Sequence, residues 1–196
     1  MNTAQPIKDL KDLEHFKHYY VDIEPNMRNY VLLTLGLNTA LRISDLLSLR
    51  WKDVYDFSRG QICSHISLVE GKTHKKTSIY VNKNIYQALL SYKDYLECES
   101  SILPEQYLFC GQYGNGNPIS RSQAWRIIKK DAEYCHIAGV ISPHSLRKTF
   151  GYHAWKHGVS PAMLMEVFNH SSFYITKRYL GIGQDDRDEV FRDVCI

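Results

Sequence analysis

His170-Ser171-Ser172-Phe173-Tyr174-Ile175-Thr176-Lys177-Arg178-Tyr179-Leu180 is the stretch on which the reading of this chain turns. Ser171 or Ser172 is suited to cap a short helix, and Gly181 is suited to end it. That helix carries Tyr179 nine residues after His170. The stretch gains meaning from two upstream segments, Pro143-His144-Ser145-Leu146-Arg147 and Thr39-Ala40-Leu41-Arg42-Ile43-Ser44-Asp45. Together they supply two arginines, two histidines and a late tyrosine, a set able to attack a phosphodiester without a metal. Planar guanidinium forks grip phosphate oxygens. Histidines handle protons near neutral pH, and a tyrosine oxygen can act as nucleophile.

Each piece has an ordinary structural reading when taken alone. Arg42 and Asp45 are three apart, close enough for the carboxylate to orient the guanidinium, as in many local ion pairs. His144 and Arg147 are also three apart, on a helix that Pro143 opens, so they share a face and can meet one phosphate. His170 follows Phe168-Asn169 at a helix end, where a lone histidine is commonly a C-cap. The chain has 14 tyrosines, so tyrosine content decides nothing, and Tyr174 is the rival to Tyr179.

The remaining pattern is largely helical. Asp9 to Tyr20, Asn26 to Leu37, Ile43 to Leu49 and Lys83 to Glu97 have helical periodicity, and the second of these is apolar nearly all round, as a central helix is. Ser120-Arg121-Ser122-Gln123 is a capping box opening a helix through Cys135. Ser160-Pro161 starts another, through Phe168. Gln61 to Val69 and Thr77 to Val81 are β-rich and joined as a hairpin across Glu70 to Lys76, with a third strand expected around Val54. Tyr113-Gly114-Asn115-Gly116-Asn117-Pro118 reads as a turn-rich loop. The fold class expected is mainly α with a small three-stranded antiparallel β-sheet.

With 196 residues and 44% hydrophobic content, the chain can build one core. Its formal charge of +3 is only mildly basic, but the charges are segregated. Lys72, His74, Lys75 and Lys76 form one basic cluster, Arg121, Arg126, Lys129 and Lys130 another, and Arg147 with Lys148 a third. The end of the chain carries Asp185, Asp186, Asp188, Glu189 and Asp193. A basic body suits phosphate, and an acidic end suits something else. Five scattered cysteines without a Cys-x-x-Cys indicate neither a disulfide framework nor a zinc knuckle, so reduced thiols in a cytoplasm are expected. No apolar run approaches the roughly 20 residues that cross a bilayer.

Taken in order and with their late spacing, these segments resemble the catalytic domain of the tyrosine recombinase (phage integrase) family. The resemblance runs from about Asp9 to Phe191. Pro143-His144-Ser145-Leu146-Arg147-Lys148-Thr149-Phe150 is similar to the family's His-x-x-Arg box. His170, Ser171, Ser172 and Thr176 before Tyr179 match its approach to the nucleophile, and Gly71-Lys72-Thr73 best matches its active lysine. Lys72 is read at the base of the hairpin, with Lys75 and Lys76 nearer its tip. Tyr174 lacks the preceding Thr-x-x and reads as a packing residue.

The resemblance implies a catalytic set of Arg42, Lys72, His144, Arg147, His170 and Tyr179, with Asp45 behind Arg42. Lys75, Lys76, Arg121 and Lys148 are then DNA contacts, and neither cofactor nor metal is expected. It implies site-specific strand exchange on double-stranded DNA through a 3′-phosphotyrosine link, by a homo-oligomer (a tetramer) on DNA that is a monomer alone. It also implies a catalytic domain over residues 1–183 and a tail over 184–196 that either docks on a neighbouring protomer or folds back in cis. Only about 40 residues precede Arg42, so no N-terminal core-binding domain is expected, in either a minimal recombinase or a fragment of a longer integrase. A type IB topoisomerase-like strand transferase is an alternative, although such enzymes typically have lysine where this chain has His144. An inactive DNA-binding regulator is another. A metal-dependent nuclease needs clustered carboxylates, and Asp45, Asp53 and Asp56 do not sit with the arginines.

Overall fold

A helix that is buried on every side organises the molecule. In the computed structural model, which describes residues 4–98, 101–111 and 116–195, α2 (Met27–Asn38) places Val31, Leu32, Leu33, Leu35 and Leu37 in the core. Asn26 caps it by accepting from the Asn29 amide at 3.1 Å. On one flank α2 packs on α5 (Lys83–Glu97) and on α3 (Ile43–Ser48). There Trp51 of α4 (Trp51–Val54), Leu108 and Phe109 complete the larger core. On the other flank lie α1 (Leu10–His18), the π-helical turn Tyr19–Ile23 that continues it, α6 (Arg121–Tyr134) and α7 (Pro143–Lys156).

The β structure departs from the expected three-stranded sheet. β1 (Tyr55–Asp56) pairs with β2 (Gln61–Ile62), and β3 (His65–Val69) pairs separately with β4 (Lys76–Tyr80), both antiparallel. The break falls at Cys63-Ser64, where the chain changes partners. The Cys63 amide donates to Val54 O at 2.9 Å, whereas the Ser64 carbonyl accepts from Val81 N at 2.9 Å. Ile62, Ile66 and Leu68 keep one phase across the break, and the single polar Ser64 between them is too weak a signal to mark it.

The register of the second hairpin also corrects the placement of its lysines. Val69 pairs with Lys76, so Lys76 stands on the strand, and Lys72 lies within the turn that joins β3 to β4. Gly116 to Pro118 lie in the expected turn-rich loop, where Pro118 bridges to Cys110; Tyr113, Gly114 and Asn115 lie outside the described residues.

Three helices close the site. Ser160 caps α8 (Pro161–Val167) by accepting from Met163 N at 3.2 Å, and Ser172 caps α9 (Phe173–Leu180), which Gly181 ends at φ 68°. Leu164, Phe168 and Leu180 form a small core with Ala40 beneath them. The approach to α7 depends on Gly151. A Cβ there would stand 2.5 Å from Phe168 Cζ and 2.7 Å from Leu180 Cδ2. α10 (Gln184–Asp193) folds back on its own chain through Asp186, which accepts from Lys8 Nζ at 2.9 Å and from the Tyr152 hydroxyl at 2.8 Å. Val190 and Phe191 remain exposed on it; Ile196 lies outside the described residues. Among the described residues no helix is long and apolar enough to cross a membrane.

Candidate active site

Arg147 occupies the centre. It is 3% exposed and reaches from α7 to two backbone carbonyls, donating to Ala40 O through Nη1 and to Phe168 O through Nη2, the latter at 2.7 Å. Ala40 adopts φ 56°, a left-handed conformation that costs a non-glycine residue of the order of 1 kcal/mol, and thereby aims its carbonyl at the guanidinium. One arginine thus joins the end of α2 to the end of α8, the two segments that lead to Arg42 and to His170.

Arg42 is the N-cap residue of α3, and its partner is a carboxylate the sequence reading missed. Nη1 donates to Glu70 Oε2 in a close ion pair. Asp45, expected to hold Arg42, instead accepts from the Gly71 amide at 3.0 Å, and its other oxygen is buried without a partner among the described residues. Helical spacing brings Asp45 near the hairpin turn rather than the guanidinium. Glu70 is itself buried and accepts from Thr73 Oγ1 at 2.8 Å and Asn169 Nδ2 at 2.9 Å. These bonds fold the β3–β4 turn, with exposed Lys72, onto the site.

His144 opens α7 and stands at the exposed edge of the site. Partial desolvation of its ring, followed by the charges of Arg147, Lys148, Arg42 and Lys72, holds its pKa below the ordinary histidine value. Lys72 is thus close enough to act on His144. His170 follows Asn169, whose φ of 53° turns the chain out of α8. Its ring stacks on Phe168 at 5.3 Å and meets Tyr179 edge-on at 5.0 Å. Nδ1 lies 3.0 Å from Thr176 Oγ1. Burial, then Arg147 and Arg42, push its pKa down to about 4, so the imidazole is neutral at physiological pH.

Tyr179 lies on α9 with its ring over Phe168 at 5.2 Å and with the Arg147 guanidinium carbon 6.0 Å from its centroid. Its hydroxyl is buried and makes no well-formed hydrogen bond, to His144 or to any other described group. Burial raises its pKa, and the nearby charges of Arg147 and Arg42 oppose that rise. Arg147 therefore acts on the oxygen mainly through charge. Tyr174, read as a packing residue, is instead 73% exposed. The helical turn between the two tyrosines directs one inward and the other to solvent.

Among the expected DNA contacts, Lys75, Lys76 and Arg121 are exposed and free of ion pairs with described residues. Lys148 differs. Its ammonium donates to Ala4 O at 2.8 Å and sits 5.2 Å from the centroid of the Tyr179 ring. No group of three or more His, Cys, Asp or Glu side chains among the described residues is arranged to hold a metal ion.

Comparison with known proteins bears on this geometry. The family model described as "Phage integrase family" matches residues 8–184. The chain is 40% identical over 186 residues to the "Probable integrase/recombinase YoeC" of Bacillus subtilis, covering 94% of this chain and 93% of that protein. It is 28% identical over 180 residues to the tyrosine recombinase XerD of Corynebacterium glutamicum, covering 92% of this chain but 57% of the relative. Among solved structures, XerA recombinase superposes with a TM-score of 0.77 at 20% identity, covering 98% of this chain and 66% of the other. XerH site-specific recombinase, solved bound to its palindromic difH substrate, superposes with a TM-score of 0.72 at 18% identity, covering 96% and 53%. The chain therefore spans nearly all of one relative and between half and two thirds of the longer proteins.

Proposed function

The chain belongs to the phage integrase family, the tyrosine recombinases, and from that premise we propose that it breaks and rejoins double-stranded DNA with Tyr179 as nucleophile. The observation that carries this reading is the convergence of Arg42, Arg147 and His170 on one buried tyrosine, with His144 beside the two arginines at the exposed edge of the site.

A free tyrosine is ionised at neutral pH only about one part in a thousand, and burial makes Tyr179 a weaker acid still. Its proton must therefore leave as the attack proceeds. A bound phosphate adds negative charge that Arg42 and Arg147 offset, and both stabilise the further charge on pentacoordinate phosphorus. His144, whose pKa burial and then its cationic neighbours hold below the ordinary histidine value, is the group suited to accept the proton. At His170, the Thr176 hydroxyl lies closer to Nδ1, at 3.0 Å, than to Ser172 O, at 3.5 Å. Donation to Nδ1 leaves Nε2–H free to bind a non-bridging oxygen.

In the chemical step the Tyr179 oxygen bonds to phosphorus and the bond to the 5′-oxygen breaks, with Lys72 supplying that oxygen's proton. The products are a 3′-phosphotyrosine and a free 5′-hydroxyl. Attack by another 5′-hydroxyl reverses the step and restores the tyrosine. Bond energy is retained in the covalent link, so no nucleotide cofactor is required. Lys75, Lys76 and Arg121 serve the DNA backbone. Residues 1–183 form the catalytic unit, and α10, held in cis through Asp186, would have to leave Lys8 and Tyr152 for Val190 and Phe191 to join protomers in a tetramer on DNA.

The test is covalent capture on a nicked duplex from which the short fragment bearing the free 5′-hydroxyl diffuses away after cleavage. A protein–DNA adduct that survives denaturation, forms in EDTA and disappears with Tyr179→Phe is expected. Cleavage that strictly requires Mg²⁺ and leaves no adduct contradicts the proposal.

A further inference from the structure

We propose that Glu70 is a positioning residue, which sets the Arg42 guanidinium for the scissile phosphate and, with Asn169, locks it to the segment that carries His170. The inference rests on the strand-transfer reading, in which Arg42 binds phosphate.

Glu70 is 2% exposed, yet it receives hydrogen bonds from three separate parts of the chain. Oε2 takes Arg42 Nη1 from the start of α3 and Thr73 Oγ1 from the hairpin turn. Oε1 takes Asn169 Nδ2 from the link between α8 and α9. Burial pushes its pKa up, but the bonds from Thr73 and Arg42 outweigh this and hold it below the usual glutamate value. It is thus a buried carboxylate anion with both oxygens engaged. A buried ion pair is a poor device for stability, because desolvation consumes most of its Coulombic gain. What it provides here is direction. Only Nη1 of Arg42 is engaged among the described residues, so Nε and Nη2 are left to face an incoming phosphate.

Asn169 gives the arrangement its reach. Its φ of 53° is one that glycine adopts at lower cost. Asparagine tolerates it and adds an amide that glycine lacks, and this amide meets Glu70. His170 is the next residue. The carboxylate therefore connects the phosphate grip of Arg42, the turn that bears Lys72 and the backbone entering His170.

The experiment measures single-turnover adduct formation on the nicked duplex with the full chain, at saturating protein, together with DNA affinity and thermal unfolding. Glu70→Gln keeps the shape but removes the charge that directs Arg42. It should slow adduct formation at saturation by about 10- to 100-fold, in line with a misplaced phosphate grip, and change DNA affinity by less than about threefold. In an Arg42→Lys background, which lacks the fork, Glu70→Gln should cost less than about threefold further. Asn169→Gly preserves the backbone and should give a smaller loss of several-fold, and it decides the matter if Glu70→Gln does not fold. Equal fold-losses from Glu70→Gln in both backgrounds, or wild-type rates with either Glu70→Gln or Asn169→Gly, overturn the inference. Absence of any adduct with the unmodified chain overturns the strand-transfer reading itself, and this inference with it, before any Glu70 variant is compared.

Discussion

The Tyr179 hydroxyl is buried beside Arg147 without a well-formed hydrogen bond among the described residues, the guanidinium carbon lying 6.0 Å from the tyrosine ring centroid. An unsatisfied buried hydroxyl costs about 1–3 kcal/mol. Beside the Arg147 charge but without a well-formed bond, the oxygen on which the chemistry depends gains little stability from the resting fold. Tyr179→Phe should therefore abolish adduct formation while leaving the fold as stable as before, or up to about 1 kcal/mol more stable. Denaturant unfolding of the two proteins checks this, and a clear loss of stability in the variant would mean that the hydroxyl has a partner.

Lys72 lies in the hairpin turn and acts on His144, whereas Lys76 stands on β4. An alkoxide leaving group needs a proton in the transition state, and a thiolate, whose conjugate acid has a pKa near 8.5, does not. Lys72→Ala should cleave ordinary DNA poorly and recover most of its rate on DNA with sulfur at the 5′-bridging position. Lys75→Ala and Lys76→Ala should lose mainly salt-sensitive binding, without sulfur rescue. Rescue of either of those variants but not of Lys72→Ala assigns the proton to the wrong lysine.

His170 has a folded pKa of about 4, below the value near 6.5 expected in the unfolded chain. Above pH 6.5 both states are neutral at this residue. As pH falls from 6.5 towards 4, the unfolded chain takes up the proton and the fold does not, so stability is lost across that window. The wild type should lose on the order of 1 kcal/mol more than His170→Gln between pH 7.5 and pH 5, allowing for the partial exposure of the ring. Parallel stability curves for the two proteins would show that His170 titrates normally.

Gly151 lets Phe168 and Leu180 pack directly on α7. Gly151→Ala should destabilise the fold by about 1–3 kcal/mol through overpacking. Because Leu180 adjoins Tyr179, adduct formation should fall more than DNA affinity does. Unchanged unfolding and unchanged rate would show that α9 yields freely to the added methyl group.

Much of this site is legible in the sequence because its signals are local. The caps at Ser120, Ser160 and Ser172 set helix starts, and α5 begins and ends where periodicity predicts. The spacing of His144 and Arg147, and of His170 and Tyr179, is carried by single helices or adjoining turns. What escapes is pairing at a distance. Glu70 is 28 residues from Arg42 and 99 from Asn169, and nothing local marks it as their partner. Asp45 is the nearer carboxylate in sequence, yet its geometry serves Gly71. The expected three-stranded sheet fails for the same reason, since the change of partner at Cys63-Ser64 is a matter of distant pairing and Ser64 alone interrupts the apolar phase of Ile62, Ile66 and Leu68. Tyr174 looks apolar enough to pack, but its helical position turns it to solvent.

The central claim is that Tyr179 forms the covalent bond to DNA. Trapping the adduct on a nicked duplex, digesting the protein and sequencing the nucleotide-linked peptide by mass spectrometry tests it most directly. The account predicts a 3′-phosphoryl group on Tyr179 alone, formed in EDTA and lost in Tyr179→Phe. A nucleotide on Tyr174 or any other residue, or an adduct that persists in Tyr179→Phe, would contradict it.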